Sequence, residues 1–344
     1  MHRRLSWYGL PEPGLPHNPL LFCFFMIRFL SFFLILLFPA CTSKNLVQNT
    51  PGAPQYQTKN VVIVVVDGPR YTETWGAKDR SMVRHLQNDL FPEGVINTKF
   101  YNDGYTYTNS GHAAITTGVR QQINNGGREL PRKPSVFQLW LEATGQPRHK
   151  AWLVTSKDKL EILADTKDKT YAGQFLASTD CGNNGNGSGY RADSTTFRKA
   201  IQVLQKDEPN LVLINFKDPD YYGHSNRWEE YLQGIKNSDK YVWQLWQFLQ
   251  SHPNYRNQTT LIVTNDHGRH SDGRADGFVS HGDGCRGCRH LNFFAAGPDF
   301  KQNEIINTTY DQTDIPATVA ELLGFKMPAS DGEVMWELFR NGKK

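Results

Sequence analysis

Short runs of apolar and β-branched residues alternate with stretches of helical periodicity along most of the chain. Five runs have the length and composition of buried parallel strands: residues 61–66, 151–154, 211–216, 260–263 and 291–295. Apolar residues at three-to-four spacing predict helices between them, at 135–143, 196–205 and 240–249, and a last helix is expected at 314–323. The alternation predicts an α/β fold with a mostly parallel central sheet covered by helices on both faces.

The first forty residues follow a different pattern. Arg28 precedes an apolar run of about 12 residues that ends at Ala40-Cys41, which is the layout of a secretory signal and is short for a membrane span. The Ala40-Cys41 ending resembles a bacterial lipoprotein signal, and Met26 is a candidate for the true start. An uncleaved anchor beginning near Leu20 is the alternative. Both interpretations predict an exported protein, periplasmic or attached to a membrane through its N-terminus.

The pattern divides the chain into three parts. Residues 1–40 form the signal segment, residues 41–58 are polar and proline-containing and predict a linker, and residues 59–344 are expected to form one catalytic domain. Residues 179–189 are rich in glycine and asparagine and predict a loop.

Composition narrows the possible functions only slightly. The chain of 344 residues is 38% hydrophobic and 21% charged, as expected of a folded domain. Its formal net charge of +4 falls to about +2 without the first forty residues, which hold three arginines and one glutamate. No stripe of basic residues with interleaved aromatics is present, so we expect no nucleic-acid partner. Beyond the signal, Cys181, Cys285 and Cys288 remain, and export favours a disulfide over a reactive thiol.

Polar residues suited to chemistry follow four of the predicted strands. Asp67 follows the first strand, Lys157 follows the second, and Asp220 and His224 lie after the third. Asp266 and His267 follow the fourth. Ligands of open α/β sheets bind outside the carboxyl ends of the strands, so these side chains are expected to gather at one edge. Clustered carboxylates repel one another, and carboxylate with imidazole ligands suits zinc and also manganese.

The sequence around Thr108 offers a candidate nucleophile. Residues 109–116 predict a short helix, whose N-terminus would stabilise a negatively charged oxygen or a phosphate. A threonine hydroxyl needs a metal ion or a base to become nucleophilic at neutral pH. Thr108 could also be a simple helix cap, and Ser110 is a rival nucleophile.

Taken together, these segments resemble the alkaline phosphatase superfamily, from Asn60 to about Phe339. The resemblance lies in the order of five motifs, which are Asp67-Gly68, Thr108 with His112-Ala113, Asp218-Pro219-Asp220 through His224, Asp266-His267-Gly268 and Ser280-His281-Gly282. It implies an alkaline-phosphatase-like fold and two divalent metal ions.

The resemblance also implies roles for individual residues. One metal would be held by Asp220, His224 and His281. The other would be held by Asp67, Asp266 and His267, with Thr108 as its exchangeable ligand and the nucleophile. His290 is the alternative to His281, His270 is also near in sequence, and His112 is interpreted as a supporting residue.

Further residues bear on the substrate. Lys157 and Lys159 take the place of a Lys-x-Arg element that binds phosphate oxygens in some phosphatases of the superfamily, although they could equally form a solvated turn. Asn125, with Asn124 as the alternative, is a candidate for orienting the substrate. A threonine nucleophile argues against the sulfatases, which carry a Cys/Ser-x-Pro-x-Arg setting.

The sequence therefore predicts a metal-dependent phosphoric ester hydrolase of small-molecule substrates. A phosphomonoesterase acting through a phosphothreonine is preferred, because paired lysines suit a dianionic phosphate. A phosphodiesterase or nucleotide pyrophosphatase is the alternative enzyme. A metal-binding envelope lipoprotein without activity is the alternative outside enzymes.

Overall fold

In the computed structural model of the chain, residues 56–342 are described, so the signal segment and most of the linker lie outside the described residues. The last linker residues are bound to the domain. The Tyr56 hydroxyl donates to Glu321 (2.7 Å), and the Thr58 N–H donates to Asp299 (2.8 Å). Between residues 56 and 342, no helix combines the length and the apolar character needed to cross a bilayer.

A single sheet contains the nine strands found in the described residues, in the order β4-β3-β5-β1-β6-β7-β2-β8, with β9 beside β2. The strands are β1 (Asn60–Val66), β2 (Gly94–Tyr101), β3 (Ala151–Thr155), β4 (Ser178–Cys181), β5 (Leu211–Phe216), β6 (Thr259–Thr264), β7 (His290–Ala296), β8 (Glu304–Ile306) and β9 (Tyr310–Asp311).

Helices lie on both faces of this sheet. They are α1 (Thr108–Thr117), α2 (Val136–Thr144), α3 (Asp193–Lys206), α4 (Asp218–His224), α5 (Trp228–Ser251), α6 (Arg286–Arg289) and α7 (Asp314–Leu323). Short 3₁₀ turns connect several elements, among them Asp158–Ala164 after β3, and Leu86–Leu90 forms a π-helical turn.

Alternate side chains of the central strands pack into two separate hydrophobic cores, one on each face of the sheet. Val61, Ile63 and Val65 of β1 pack on the side that holds α2 and α7. Val62 and Val64 point to the opposite side, with residues of α3 and α5. All seven residues of β1 are buried, which explains why this strand reads as a continuous apolar run. The predicted α/β class with helices on both faces is confirmed.

The predicted direction of one strand is wrong. We expected residues 291–295 to be parallel to the other strands, but β7 runs antiparallel to both β6 and β2. A strand buried on both faces is continuously apolar in either direction, so its composition does not reveal its orientation. The expected loop at 179–189 also begins inside β4, which pairs parallel with β3.

Candidate metal centre and nucleophile

The carboxyl ends of four strands bring the predicted site residues to one edge of the sheet. β3, β5, β1 and β6 are mutually parallel neighbours, so the residues that follow them emerge on the same side. Asp67 follows β1, Lys157 follows β3, Asp220 lies in α4 after β5, and Asp266 with His267 follows β6. These residues therefore meet because of topology, although up to about 200 residues separate them in sequence.

One group of three side chains surrounds the Asp220 carboxylate. His224 Nε2 lies 3.3 Å from Asp220 Oδ1, and His281 Nε2 lies 3.4 Å from the same oxygen. The two imidazole nitrogens are 3.0 Å apart. The other ring nitrogen of His281, Nδ1, lies 2.7 Å from the Thr106 carbonyl oxygen, which fixes the orientation of that ring. The three atoms therefore lie within 3.4 Å of one another, and His267 is close enough to Asp220 and His281 to complete a metal-binding group with them as well.

A second group is completely buried. His267 Nε2 lies 3.5 Å from Asp67 Oδ1 and 3.3 Å from Asp266 Oδ2, and all three side chains are inaccessible to solvent. His267 Nδ1 lies 2.9 Å from the Gly268 carbonyl oxygen, so that Nε2 is turned towards the carboxylates. The His267 ring also stacks on the His281 ring with centroids 3.6 Å apart, which places the two groups side by side.

Thr108 lies against the second group at the start of α1. Its hydroxyl Oγ1 is 3.5 Å from His267 Nε2 and 3.3 Å from the Lys157 ammonium. The residue that caps α1 is Tyr107, and no side-chain capping bond is made there. Thr108 is therefore the first helical residue rather than the cap, and its hydroxyl is directed towards the buried polar cluster.

The packing of α1 against the end of β6 sets the position of that hydroxyl. A Cβ atom on Gly111 would lie 2.5 Å from the Asp266 carbonyl oxygen, so only glycine permits this approach. One turn of helix separates His112 from Thr108. His112 Nδ1 lies 2.9 Å from the Thr108 carbonyl oxygen and 3.2 Å from Asp266 Oδ2. His112 therefore contacts both the Thr108 backbone and the Asp266 carboxylate and helps to hold them in position.

Lys157 is enclosed between the two groups. Its ammonium nitrogen forms ion pairs with Asp67 Oδ1 (2.9 Å) and Asp220 Oδ2 (2.6 Å), and the side chain is only 2% exposed. Lys159 is also buried, and burial together with the nearby Lys157 lowers its pKa to about 8. Both lysines are thus at the predicted place, in the turn that follows β3.

Arg269 is a member of the site that the sequence analysis missed. Its fully buried guanidinium donates from Nη1 to Asp220 Oδ1 (2.5 Å) and from Nη2 to the Val279 carbonyl oxygen (2.6 Å), and Nε donates to the Phe278 carbonyl oxygen. It therefore connects the Asp220 group to the segment that carries His281. Its position directly after Asp266-His267-Gly268 is the only signal that could have suggested it.

Of the remaining residues predicted for the site, one lies next to Thr108 and two lie away from the metal-binding groups. Asn125 accepts a hydrogen bond from the Asn109 N–H (3.0 Å) and so lies at the first turn of α1, next to Thr108. Ser110 exchanges hydrogen bonds with the backbone of Ile123, which turns its hydroxyl away from the metal-binding groups. His290 Nε2 lies 3.0 Å from the Thr98 carbonyl oxygen and its ring stacks on Tyr71, outside both groups.

Burial and mutual charge shift the pKa values of the cluster in different directions. Burial, followed by repulsion from Asp266, raises the pKa of Asp67 to about 7. Burial alone would raise the pKa of Asp220 as well, but Lys157 and Arg269 hold it well below its ordinary value. Burial lowers the pKa of His267 strongly and that of His224 to about 4. Both imidazoles are therefore neutral at pH 7, the state in which histidine binds metal ions.

The chemistry of these donors fits divalent metal ions. Asp67 Oδ1 and Asp266 Oδ2 are buried, and both atoms face His267 Nε2. Lys157 lies 2.9 Å from Asp67 Oδ1 and His112 Nδ1 lies 3.2 Å from Asp266 Oδ2, although neither contact has hydrogen-bonding geometry. Buried carboxylates are costly unless cations compensate their charge, and a divalent ion facing both oxygens would add to what Lys157 supplies. Both groups offer carboxylate and imidazole donors without a thiolate, and the Thr108 hydroxyl lies beside the group that contains His267. Such donors suit zinc and manganese.

Comparison with known sequences finds a family match for part of the chain. Residues 180–327 match the Metalloenzyme superfamily, which implies divalent metal ions. The 2,3-bisphosphoglycerate-independent phosphoglycerate mutase of Gracilaria tenuistipitata var. liui is 25% identical over 132 residues, which are 38% of this chain and 24% of the mutase. The match thus spans about a quarter of that relative's length.

Comparison with solved structures identifies the fold. The phosphonate monoester hydrolase of Silicibacter pomeroyi superposes with a TM-score of 0.61 at 13% identity, over 83% of this chain and 78% of the hydrolase. A protein in the alkaline phosphatase superfamily from Vibrio parahaemolyticus gives a TM-score of 0.58 at 17% identity, over 82% of this chain and 70% of that chain. The expected resemblance to the alkaline phosphatase superfamily is confirmed.

Proposed function

We propose that this chain, whose residues 180–327 match the Metalloenzyme superfamily and whose fold is that of the alkaline phosphatase superfamily, hydrolyses phosphate esters with Thr108 as the nucleophile. The observation that carries the proposal is the position of the Thr108 hydroxyl. It lies 3.5 Å from His267 Nε2 in one ligand group and 3.3 Å from a buried ammonium that also contacts Asp220 in the other.

The ligand groups would hold two divalent ions, Asp67, Asp266 and His267 one of them and Asp220, His224 and His281 the other. When bound, such ions lower the pKa of a coordinated hydroxyl and offset the charge on a departing oxygen. Zinc fits these ligands, and manganese is the alternative. His224 is half-exposed whereas the Asp67 group is fully buried, so the leaving group would depart on the His224 side.

The residues of the chain would divide the chemistry between them. Thr108 gives its proton to solvent and attacks phosphorus in line, which breaks the bond to the leaving oxygen and forms a phosphothreonine, and the released oxygen takes up a proton from solvent. The positive end of the α1 dipole favours the oxyanion. Lys157 and Lys159 pair with the non-bridging phosphate oxygens, and Asn125 lies at the same helix start to orient the substrate. Water then attacks phosphorus, and the Thr108 oxygen leaves and regains a proton.

The buried lysines favour a phosphate monoester as the substrate. A monoester dianion carries more charge on its non-bridging oxygens than a diester monoanion, and it gains more from fixed cations in a dry site. Lys157 is 2% exposed and Lys159 is 8% exposed, so water screens both charges only weakly. Small-molecule phosphate monoesters are therefore the proposed substrate class.

A phosphodiester with a planar leaving group is the second candidate. Three exposed tyrosines lie beside site residues: Tyr107 precedes Thr108, Tyr221 follows Asp220, and the Tyr190 ring lies 5.8 Å from the Lys157 ammonium. Exposed aromatic rings next to a reactive centre could stack on an aryl or nucleobase group. Rates on aryl monoesters and aryl diesters would separate the two candidates.

Replacing the nucleophile tests the proposal directly. Thr108→Ala should lower kcat for an aryl phosphate monoester by at least about a thousandfold, because it removes the hydroxyl that lies 3.5 Å from His267 Nε2, while metal content stays unchanged. Thr108→Ser should keep part of the activity. Acid quenching of the wild type during turnover should trap phosphate on Thr108, detectable by peptide mass spectrometry.

Thr116→Ala is the matched control, since Thr116 lies in the same helix and its hydroxyl donates only to backbone carbonyl oxygens of α1. This variant should keep near-wild-type kcat. Activity of Thr108→Ala within tenfold of the wild type, with no phosphothreonine trapped, would exclude Thr108 as the nucleophile.

Export of the protein is a separate proposal. It rests on the signal-like pattern before Cys41, and the predicted attachment to a membrane rests on the same segment. Fractionation of a bacterium expressing the full chain, with Cys41→Ser as the variant, would test both.

A further inference from the structure

We infer that His270, Asp283, Cys285 and Cys288 bind a further metal ion, of the zinc class, outside the proposed catalytic centre. The four residues lie in the loop between β6 and β7, and one donor atom from each falls within 4.8 Å of all the others. This inference does not depend on the phosphate ester chemistry proposed above, because it uses none of the same ligands.

His270 supplies the observation that points to a ligand. The residue is 6% exposed, and its Nε2 atom is buried without a hydrogen-bond partner while it faces the other three side chains. Its second ring nitrogen, Nδ1, lies 2.8 Å from Asp276 Oδ1. A carboxylate on the far nitrogen is the arrangement that orients histidine ligands of metal ions, because it fixes the tautomer with a free Nε2 lone pair.

Distances between the donor atoms match a tetrahedral site. His270 Nε2 lies 3.3 Å from Asp283 Oδ1, that oxygen lies 3.6 Å from Cys288 Sγ, and the two sulfur atoms are 3.4 Å apart. Donors at ordinary zinc bond lengths around one tetrahedral centre stand about 3.3 to 3.8 Å from each other. Asp283 Oδ2 accepts from Arg274 (2.6 Å), whereas Oδ1 accepts from the Cys285 N–H (3.0 Å) and faces His270 Nε2, so Oδ1 is the oxygen that the ion would contact.

The donor set indicates which metal would bind. Two sulfur atoms at Cys-x-x-Cys spacing, an imidazole and a carboxylate select zinc over magnesium, calcium or manganese, which prefer oxygen ligands. All four positions are filled by the protein, so the site would be structural rather than catalytic.

The two ends of the loop already meet in the backbone. The Gly268 N–H donates to the Cys288 carbonyl oxygen (2.8 Å), and a Cβ on Gly287 would lie 2.4 Å from the Arg269 carbonyl oxygen. His270 belongs to the irregular segment that follows β6, and the cysteines belong to the segment that precedes β7. A shared ion would join these segments and would fix His281, two residues before Asp283, in the Asp220 group.

A disulfide between Cys285 and Cys288 is the competing state, and export would favour it. In the structure both cysteines are free, with sulfur atoms 3.4 Å apart rather than bonded at about 2.05 Å. A disulfide would also leave His270 Nε2 buried without a partner, whereas a metal ion accounts for all four side chains.

Cobalt substitution tests the inference. The reduced full-length chain is stripped of metal, reloaded with Co²⁺ and examined for thiolate-to-cobalt charge-transfer absorption in the near ultraviolet. The proposed catalytic centre contains no sulfur ligand, so this band reports only the cysteine site. We expect the band in the wild type and in Cys181→Ser, the control for the third cysteine of the described residues, and its loss in the double variant Cys285→Ser/Cys288→Ser, which keeps Cys23 and Cys41.

Zinc content gives the second measurement. The double variant and His270→Gln should each bind one equivalent of zinc fewer than Cys181→Ser, whatever the occupancy of the catalytic centre. Absence of the charge-transfer band in the reduced wild type would overturn the inference, even if the double variant fails to fold. So would a Cys285–Cys288 disulfide in zinc-replete protein, identified by mass spectrometry without reduction.

Discussion

Lys157 carries a positive charge in a place where water cannot screen it. Burial would remove a proton from an isolated ammonium, but Asp220 and Asp67 lie close enough to raise the pKa of Lys157 above its ordinary value. The paired charges offset a desolvation cost that would otherwise be several kcal/mol. The same ammonium lies 3.3 Å from the Thr108 hydroxyl, so its charge is also available to a phosphoryl group on that oxygen.

Lys157→Met should therefore impair monoesters more than diesters. We expect kcat/KM for an aryl phosphate monoester to fall about 100-fold, the usual effect of removing one charged contact to a transition state in a dry site. The loss for the matching aryl diester should be at least about tenfold smaller, because its phosphoryl oxygens carry less charge. Steady-state kinetics on the two esters, with metal content measured in parallel, give the comparison.

Lys167→Met is the control, because Lys167 is half-exposed and pairs only with Glu129 at the surface. Its activity on both esters should stay near that of the wild type. If Lys157→Met lost both activities equally at unchanged metal content, Lys157 would be a positioning residue for Asp67 and Asp220 rather than a contact to phosphate.

The predictability of individual site residues depended on where they lie relative to the strands. Asp67 and Asp266 directly follow apolar runs, so the strand-end rule placed them without coordinates. Arg269 could not be found in this way, because a basic residue in a loop is ordinarily solvated and only the fold reveals its complete burial against Asp220.

At the scale of elements, the contact between α1 and the end of β6 controls the geometry of the nucleophile. Gly111 faces the Asp266 carbonyl oxygen, and Asn102 and Gln312 donate to the same oxygen through their side-chain amides. The backbone of Asp266 is thereby fixed from three directions, so it cannot move aside for a larger residue in α1.

Gly111→Ala should destabilise the protein although alanine favours helices. Helix propensity alone would stabilise the folded state by about 1 kcal/mol. The new Cβ would lie 2.5 Å from a backbone oxygen that cannot shift, and overpacking of this kind costs about 1–3 kcal/mol. We expect a net loss of about 1 kcal/mol in the free energy of unfolding, together with weaker zinc binding. Denaturant titration and zinc titration measure the two effects.

Gly104→Ala provides the matched substitution, since its Cβ would meet no atom closer than 3.4 Å. It should leave zinc affinity unchanged. A Gly111→Ala variant as stable as the wild type, with unchanged zinc affinity, would show that the α1–β6 contact has more freedom than the structure indicates.

Most elements of the fold follow from local patterns, and those that do not have physical reasons. The helix at Asp314–Leu323 has the predicted bounds, because its apolar face and the glycine after it are both local signals. β2 was missed because Asn97, Thr98 and Lys99 interrupt its apolar pattern, where its pairing with β7 shifts register. α5 begins at Trp228, twelve residues before the predicted start, because its first half is largely polar.

At the scale of the whole molecule, the metal centre joins segments that are distant in sequence. Its proposed ligands extend from Asp67 to His281, and all of them except His224 are buried. Without metal ions, repulsion between Asp67 and Asp266 weakens the central edge of the sheet. A ligand that binds only the folded state stabilises it by about 2.7 kcal/mol at a hundred times its dissociation constant. Chelation should therefore lower the stability of the entire domain.

The pH dependence of this stabilisation tests whether Asp67 is a metal ligand. Its pKa in the metal-free fold is raised from 3.8 to about 7, first by burial and then by Asp266. A raised pKa contributes stability to the metal-free fold at low pH, and this contribution is lost as the pH rises through about 7. Zinc requires the ionised carboxylate, so below that pH it must displace a proton. The difference in unfolding free energy between zinc-loaded and chelated protein should thus be larger at about pH 8 than at about pH 5, by about 2 kcal/mol.

Taking this difference at each pH, in a Cys285→Ser/Cys288→Ser background where no thiol loses a proton to zinc, removes the effect of ionisable groups elsewhere in the fold. Burial also raises the pKa values of Asp239 and Asp314 to about 6, but these residues titrate alike in the loaded and the chelated protein. Denaturant unfolding of the zinc-loaded and the chelated protein, each at the lower and the higher pH, gives the four free energies of unfolding required. Zinc affinity is measured separately at both pH values. Asp67→Asn should abolish most of the pH dependence, because an amide does not titrate. A stabilisation by zinc that is equal at both pH values in the background that keeps Asp67 would mean that no proton is displaced and that Asp67 does not bind the ion.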